Sequence, residues 1–445
     1  TAANTNIANN ITTTGNQQFT NDVTLTGTNS NQELKADTGT IAFNNNLIAG
    51  NNNLTLTANE VNLLGVDNSV TGSGKLLIQP SISGQNINIG DDTDTSSLDI
   101  TGSDIDALAK GFSDITIGRN DSSGAIAINT VNFKDAVKIQ SPTGSITTNG
   151  EITGEGSITL DAITTTLNAG ITTINQNINF SQSVIFGNDI TLSTGAGIGD
   201  ITFSGTVDGN QNLTLNTGTG NINFDAAVGG TNPLNSLSTS TANTNVKANI
   251  TTVNDLNFTN AVTLTGITQT FNSGNGNINF SDTVNGASDL TVIAGNEITL
   301  NGAVGVNLKL NSLTSTATKT NVEDNIFTSG NITFNNPLNL IESGAKLFSA
   351  DNGNISFNST VNGNSALTTL ATNGIISFKD VVQLSSLTNT ATQTQIANNI
   401  LTTGDIKINS NLINLTGTTN QELKSDSGKI ELSGNLTAGS NNLTL

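Results

Sequence analysis

Short alternations of apolar and polar residues, Ile-x-Phe, Leu-x-Leu and Val-x-Leu, recur along the whole chain with Asn, Thr or Ser in the middle place. A period of two sends the apolar side chains to one face of a strand of about three to six residues. Ile, Val, Phe and Thr suit a pleated strand. The Asn-Gly, Gly-Asn and Asp-Gly pairs between strands suit turns, because Gly and Asn tolerate left-handed backbone angles. One stretch departs from the rhythm: "SDIDALAKGF" (103–112) predicts a helical turn or two, with Ser103 as its cap.

The alternations repeat on a longer scale. Ile201, Ile278 and Ile355 each open an Ile-x-Phe, and the two intervals between them are equal. A second series runs through Ile222, Ile298 and Ile376, and a third through Phe180, Phe258, Phe334 and Ile408. "TANTNVKANI" (241–250) returns as "TATKTNVEDNI" (316–326) and "TATQTQIANNI" (390–400). The opening "TAANTNIANNITTTG" matches 390–404, and "NQELKADTG" (31–39) matches 420–428. A super-repeat of about 75–78 residues, subdivided at about 20, signals a solenoid. A propeller blade needs about 40–50 residues and usually a Trp-Asp signature, and this chain has no Trp. An open sandwich is the other alternative. Parallel strands with apolar side chains inward predict a β-helix of about 20 residues per lap, with laps stacked about 4.8 Å apart. That makes 1–445 one continuous rod of about 20–23 laps, on the order of 100 Å long.

The expectation for "DNGNISFNSTVNGNSALTTL" (351–370) is specific: Ile355 and Phe357 inward, Ser356 outward, a corner at Val361, and the next side from 366. Ile201, Ile278 and Ile355 are expected on one inner line. The stretch from Phe224 to Phe258 is longer than one lap and holds either a poorly marked lap or a protruding loop. The segment 90–123 breaks the pattern most, predicting a loop or a changed cross-section.

Composition narrows the function classes. A chain of 445 residues would ordinarily form several globular domains, but Gly, Asn, Thr and Ser dominate, and only 11% of residues are charged. Disorder would need more charge and no periodic apolar positions. The formal charge is −20 and Arg119 is the single arginine, which argues against nucleic acid and anionic membrane surfaces as partners. No apolar run approaches the roughly 20 residues of a membrane span, so no direct membrane insertion is expected. No leader is evident and the chain does not begin with Met, so the reading is a piece of a longer repetitive protein. Cys and His are absent, which removes the usual Zn, Cu and haem ligands and leaves oxygen donors for calcium.

"GNITFNNPLNL" (330–340), "AGNNNLTL" (49–56) and "GFSDITIGRNDSSGAIAI" (111–128) resemble the repeat regions of filamentous-haemagglutinin-like exoproteins, large bacterial surface proteins exported by two-partner secretion. Autotransporter passengers are similar in composition. The resemblance covers essentially the whole chain through repeat style. It implies a right-handed parallel β-helix on the outside of a Gram-negative-type cell, serving adhesion, aggregation or biofilm. Its partners would be further copies or tandem repeats of the same chain and a host or neighbouring-cell surface.

Candidate chemistry is sparse. β-Helical lyases and hydrolases need clustered carboxylates, since glycosidic cleavage uses two at a set separation. Asp104, Asp106 and Asp114 near Arg119 form the best such cluster, and a solvated loop is the plainer reading. Asp91, Asp92 and Asp94 in "GDDTDT" begin like a calcium loop, but Ser96 stands where an EF-hand needs Gly. Thr24/Thr26 and Thr55/Thr57 are similar to ice-binding pairs, yet Asn and Ser share those places in other laps. Without Trp or Tyr there is no sugar-stacking platform. No catalytic, cofactor-binding or metal-binding residue is assigned. The reading is a non-catalytic structural shaft of an adhesin or extracellular filament. The alternative is a polysaccharide-binding or polysaccharide-degrading β-helix that uses 90–123.

Overall fold

In a computed structural model of the chain, which describes residues 4–27, 31–91, 96–439 and 441–445, almost every element is a short parallel strand. The exception is one six-residue helix. Two compact units, 1–226 and 227–445, are each a β-solenoid of stacked three-sided laps. In the first unit one inner column runs Ile115, Val137, Ile158, Ile178, Ile201 and Ile222, each one lap beyond the last. A second column runs Ile126, Ile146, Thr165 and Val184, and a third Val131, Ile152 and Ile171.

The second unit has the same kind of lap. Its first face carries Leu290, Leu313, Ile332, Ile355 and Ile376 in register. The second carries Leu256, Ile278, Ile298, Thr320, Leu338 and Val361. The third carries Val262, Val284, Val304, Ile326 and Phe348. These columns are buried almost completely, and rings of adjacent laps stack, Phe357 lying 5.9 Å from Phe334 and 5.2 Å from Phe378 between centroids. Such offset stacking adds to the burial that holds a narrow core together.

Ile278 and Ile355 do not share a line: Ile278 lies on the second face and Ile355 on the first, while Ile201 belongs to the first unit. The reason is arithmetic. From Ile278 the chain makes three full laps to Leu338, then two further sides to Ile355. The super-repeat therefore spans eleven sides, not a whole number of laps, and each copy is turned by one face. Thr244, Thr320 and Thr394, equivalent in the three copies, stand on the third, second and first faces.

Three smaller expectations change. Val361 is not a corner but the buried first residue of the strand Val361–Gly363, paired with Leu338 and Val382. Ile355 and Phe357 are inward and Ser356 outward, as read from sequence. Between Val228 and Phe258 the chain holds both alternatives: ordinary sides, and a short insertion, 229–233, standing out beside Ile250–Thr252.

The irregular segment does change the cross-section. Paired strands there are separated by nearly twice the usual length of chain, Lys75 opposite Asp114 and Ile87 opposite Ile126. The surplus supplies a strand, Leu98–Ile100, that pairs back on Ile87–Ile89, and a helix, Gly102–Ala107. The cap is Thr101, not Ser103: its hydroxyl accepts from the Asp104 backbone N–H, and Asp104 bonds back to the Thr101 N–H. Leu108 then rejoins the stack beside Val70.

Candidate functional site

A recurrent polar device among the described residues is a bond between laps. An Asn or Asp immediately before a core Ile or Leu accepts, through Oδ1, the backbone N–H at the same corner of the next lap. Asn331 accepts from Asn354 and Asn354 from Ile375, each at 2.8 Å. Asn177 takes the N–H of Asp200 at 2.9 Å, and Asp200 that of Asn221 at 2.6 Å. Asp255 and Asp405 do the same for Asn277 and Lys429, each at 2.8 Å. The turn cannot continue the strand ladder, so this side chain satisfies a donor that would otherwise lack a partner.

A second device lies inside. In each copy of the super-repeat two polar side chains five places apart meet across a corner of the core: Thr239 with Thr244, Ser315 with Thr320 at 2.8 Å, and Asn389 with Thr394 at 2.6 Å. The last pair extends to Thr369 and Ser410, all four buried. The apolar alternation read from sequence missed these groups. Their signal was the repeat of Thr, Ser or Asn at matching places in 239–244, 315–320 and 389–394.

The carboxylate cluster near Arg119 does not assemble as a catalytic group. Asp104 is buried and structural, its Oδ1 accepting the Leu63 N–H at 2.6 Å and its Oδ2 the Thr101 N–H at 2.8 Å. Asp106 faces solvent, and its backbone carbonyl accepts from Lys134 Nζ at 2.8 Å. Arg119 is engaged by Asp121 through two bonds of 2.8 and 2.9 Å. That hydrogen bond raises the Arg119 pKa and holds the Asp121 carboxyl below its ordinary value. Asp114 alone of the three opens onto a groove of about 600 Å³ on the first unit, lined also by Lys75, Lys138, Gln79, Gln140 and Asn120. Lys138 is tied to Asp161 at 2.9 Å. With one carboxylate among its lining residues, the groove offers hydrogen bonds rather than a paired acid and base.

Of the calcium candidates, Asp91 is exposed, whereas Asp92 and Asp94 lie outside the described residues. Among the described residues no three acidic, His or Cys side chains come together to hold a metal ion. Thr57 is buried between laps, donating to Glu33 and accepting from Gln79, so Thr55/Thr57 is not an outward pair. The column of Thr55 runs Glu33, Thr55, Leu77, Thr116, with no threonine register. Fourteen of the sixteen Phe are buried, as packing residues; Phe19 and Phe327 are partly exposed. No helix among the described residues is long and apolar enough to cross a membrane.

No family model, curated protein or solved structure matches this chain.

Proposed function

We propose that this chain is the structural shaft of a secreted or cell-surface adhesin or extracellular filament, non-catalytic, and that it mediates adhesion, aggregation or matrix formation outside a bacterial cell. The observation that carries the reading is where the polar side chains go. In the laps described above, the Asn, Asp, Thr and Ser groups that could act on a substrate bond the next lap or the lap's own corner. Stability in such an array is nearly a sum over laps and their neighbours, which suits a part whose task is reach. The resemblance of the repeats to filamentous-haemagglutinin-like exoproteins and the absence of Cys agree with export. Negative-stain micrographs of the purified chain test it: thin rods support the shaft, and compact globules end it.

A second reading rests on the groove beside Asp114, which would place a polysaccharide along the first unit. A panel of neutral and acidic polysaccharides, with Asp114→Ala and Arg119→Ala alongside the parent chain, separates the two. Binding or cleavage lost in Asp114→Ala favours the groove, and equal inertness of all three favours the shaft.

A further inference from the structure

On the second face of the second unit the outward places between the core residues form a column of carboxamides. Asn257, Asn279, Asn321, Asn339, Asn362 and Gln383 fill six of seven successive laps, with Thr299 in the other. At one strand spacing per lap the column is about 29 Å long. All but Asn321 are at least partly exposed. The choice of side chain follows the face rather than the repeat. Asn257, Asn279 and Asn339 have as equivalents in a neighbouring copy Thr333, Ser356 and Thr263, which stand on the first and third faces.

Within the column an amide hydrogen goes to the preceding lap. Asn279 donates to Asn257 at 2.7 Å, Asn339 to Asn321 at 3.2 Å, and Asn321 to Glu297 at 2.9 Å. A carboxamide has two donors and an oxygen with two lone pairs, so each exposed member keeps bonding capacity for a group that faces the sheet. Charge beside the column is cancelled: Glu297 pairs with Lys319 at 3.0 Å, and past its end Lys424 pairs with Asp426 at 2.8 Å. A depression of about 420 Å³ at the last laps, lined in part by Asn362, Asn364, Gln383 and Leu401, gives a facing side chain room to enter.

Charge and spacing together select the occupant. The column is neutral on a chain of formal charge −20, so two copies meet here without setting like charges opposite one another. A second solenoid also repeats at the same strand spacing, so its amides stay in step with these at every lap, whereas a ligand of another pitch drifts out of step. Asn and Gln ladders between paired sheets rely on the same match. We propose that the second face of the second unit is a self-association surface, on which a second copy of this chain packs side by side, carboxamide column against carboxamide column. Its use, lateral aggregation of rods, rests on the shaft reading. A strip this narrow is smaller than a standard interface, so each contact is weak and gains by repetition.

Sedimentation equilibrium of the purified chain up to submillimolar concentration should show reversible dimers. The variant Asn339→Asp/Asn362→Asp/Gln383→Glu keeps side-chain size but sets like charges face to face, and should weaken the dimer about tenfold or more. The same charge on the first face, Thr291→Asp/Thr314→Asp/Thr333→Asp, should leave it within about twofold at physiological salt, which screens charges away from the contact. Circular dichroism checks that each variant keeps the parent's β-rich state. A second probe adds no charge and decides the matter should an acidic variant fail to fold. In a chain without Cys, Asn339→Cys should be joined to a second copy by a short bis-maleimide, and Thr314→Cys should not. A parent that stays monomeric, a dimer indifferent to the second-face charges, or cross-linking at Thr314 in place of Asn339 overturns the proposal. Micrographs of the same preparations keep the two ideas apart: rods that never pair sink the surface and spare the shaft, and globules sink the shaft.

Discussion

At the scale of single residues, asparagine is the informative one. Its abundance looks like low complexity, yet at the corners it is an acceptor set one place before a core aliphatic. Replacing Asn354 by Ala should cost about 1 kcal/mol, the net worth of one such bond, more if the Ile375 N–H is left dry. Asn354→Asp keeps the acceptor and should cost clearly less at neutral pH; equal losses in urea unfolding would refute the clamp. Inside the core, Thr394→Val should cost about 1–3 kcal/mol, because Asn389 and Ser410 each lose a buried partner. A neutral result there would mean that the internal polar pairs are ornamental.

Charge works at the same scale. The bond from Lys319 and, next, that from Asn321 hold the Glu297 carboxyl below its ordinary value. A depressed carboxylate contributes stability above its unfolded pKa of about 4.3 and loses that contribution as pH falls through the folded value. The melting temperature of Glu297→Gln should therefore lie slightly below the parent's at pH 7, and the gap should close below about pH 4. Both partners are over a third exposed, so the gap is a fraction of a kcal/mol at most. A gap that widened in acid would reverse the sign and the explanation.

At the scale of elements, strand type, the inward Ile and Phe, and lap length were legible because an alternating pattern leaves few other ways to bury those side chains. "ISF" at 355–357 was read residue for residue. The corner at Val361 was misplaced because "VNG" resembles a turn, yet the stacking of Val361 on Leu338 and Val382 overrides that local preference. The helix was legible but its cap was set two places late, since Ser103 and Thr101 are both good caps and only the reciprocal Asp104 bond chooses between them. Asp104 itself was a candidate acid from its neighbours in sequence. In the fold it holds the Leu63 N–H, so Asp104→Ala should destabilise the first unit by about 2 kcal/mol. Loss of any glycan activity without loss of stability would contradict that assignment.

At the scale of the molecule, a repeat of eleven sides was invisible to sequence reading for a plain reason. Self-similarity reports how far apart equivalent residues lie along the chain, whereas the face they occupy depends on the remainder after whole laps. The even spacing of Ile278 and Ile355 behind Ile201 looked like a stack of identical layers, and in the second unit it proves to be a screw. Partner residues, by contrast, leave no trace in a pattern of this kind, because the alternation records only what is turned inward.

The central claim is that successive laps of the second unit lie directly over one another. Spin labels at the outward positions of one column test it: Thr270 paired in turn with Thr333 and Ser356, three and four laps away. Pulsed dipolar spectroscopy should give distances that lengthen by about 4.8 Å per lap, to about 19 Å for the second pair. Distances that do not climb by one strand spacing at each step would contradict it.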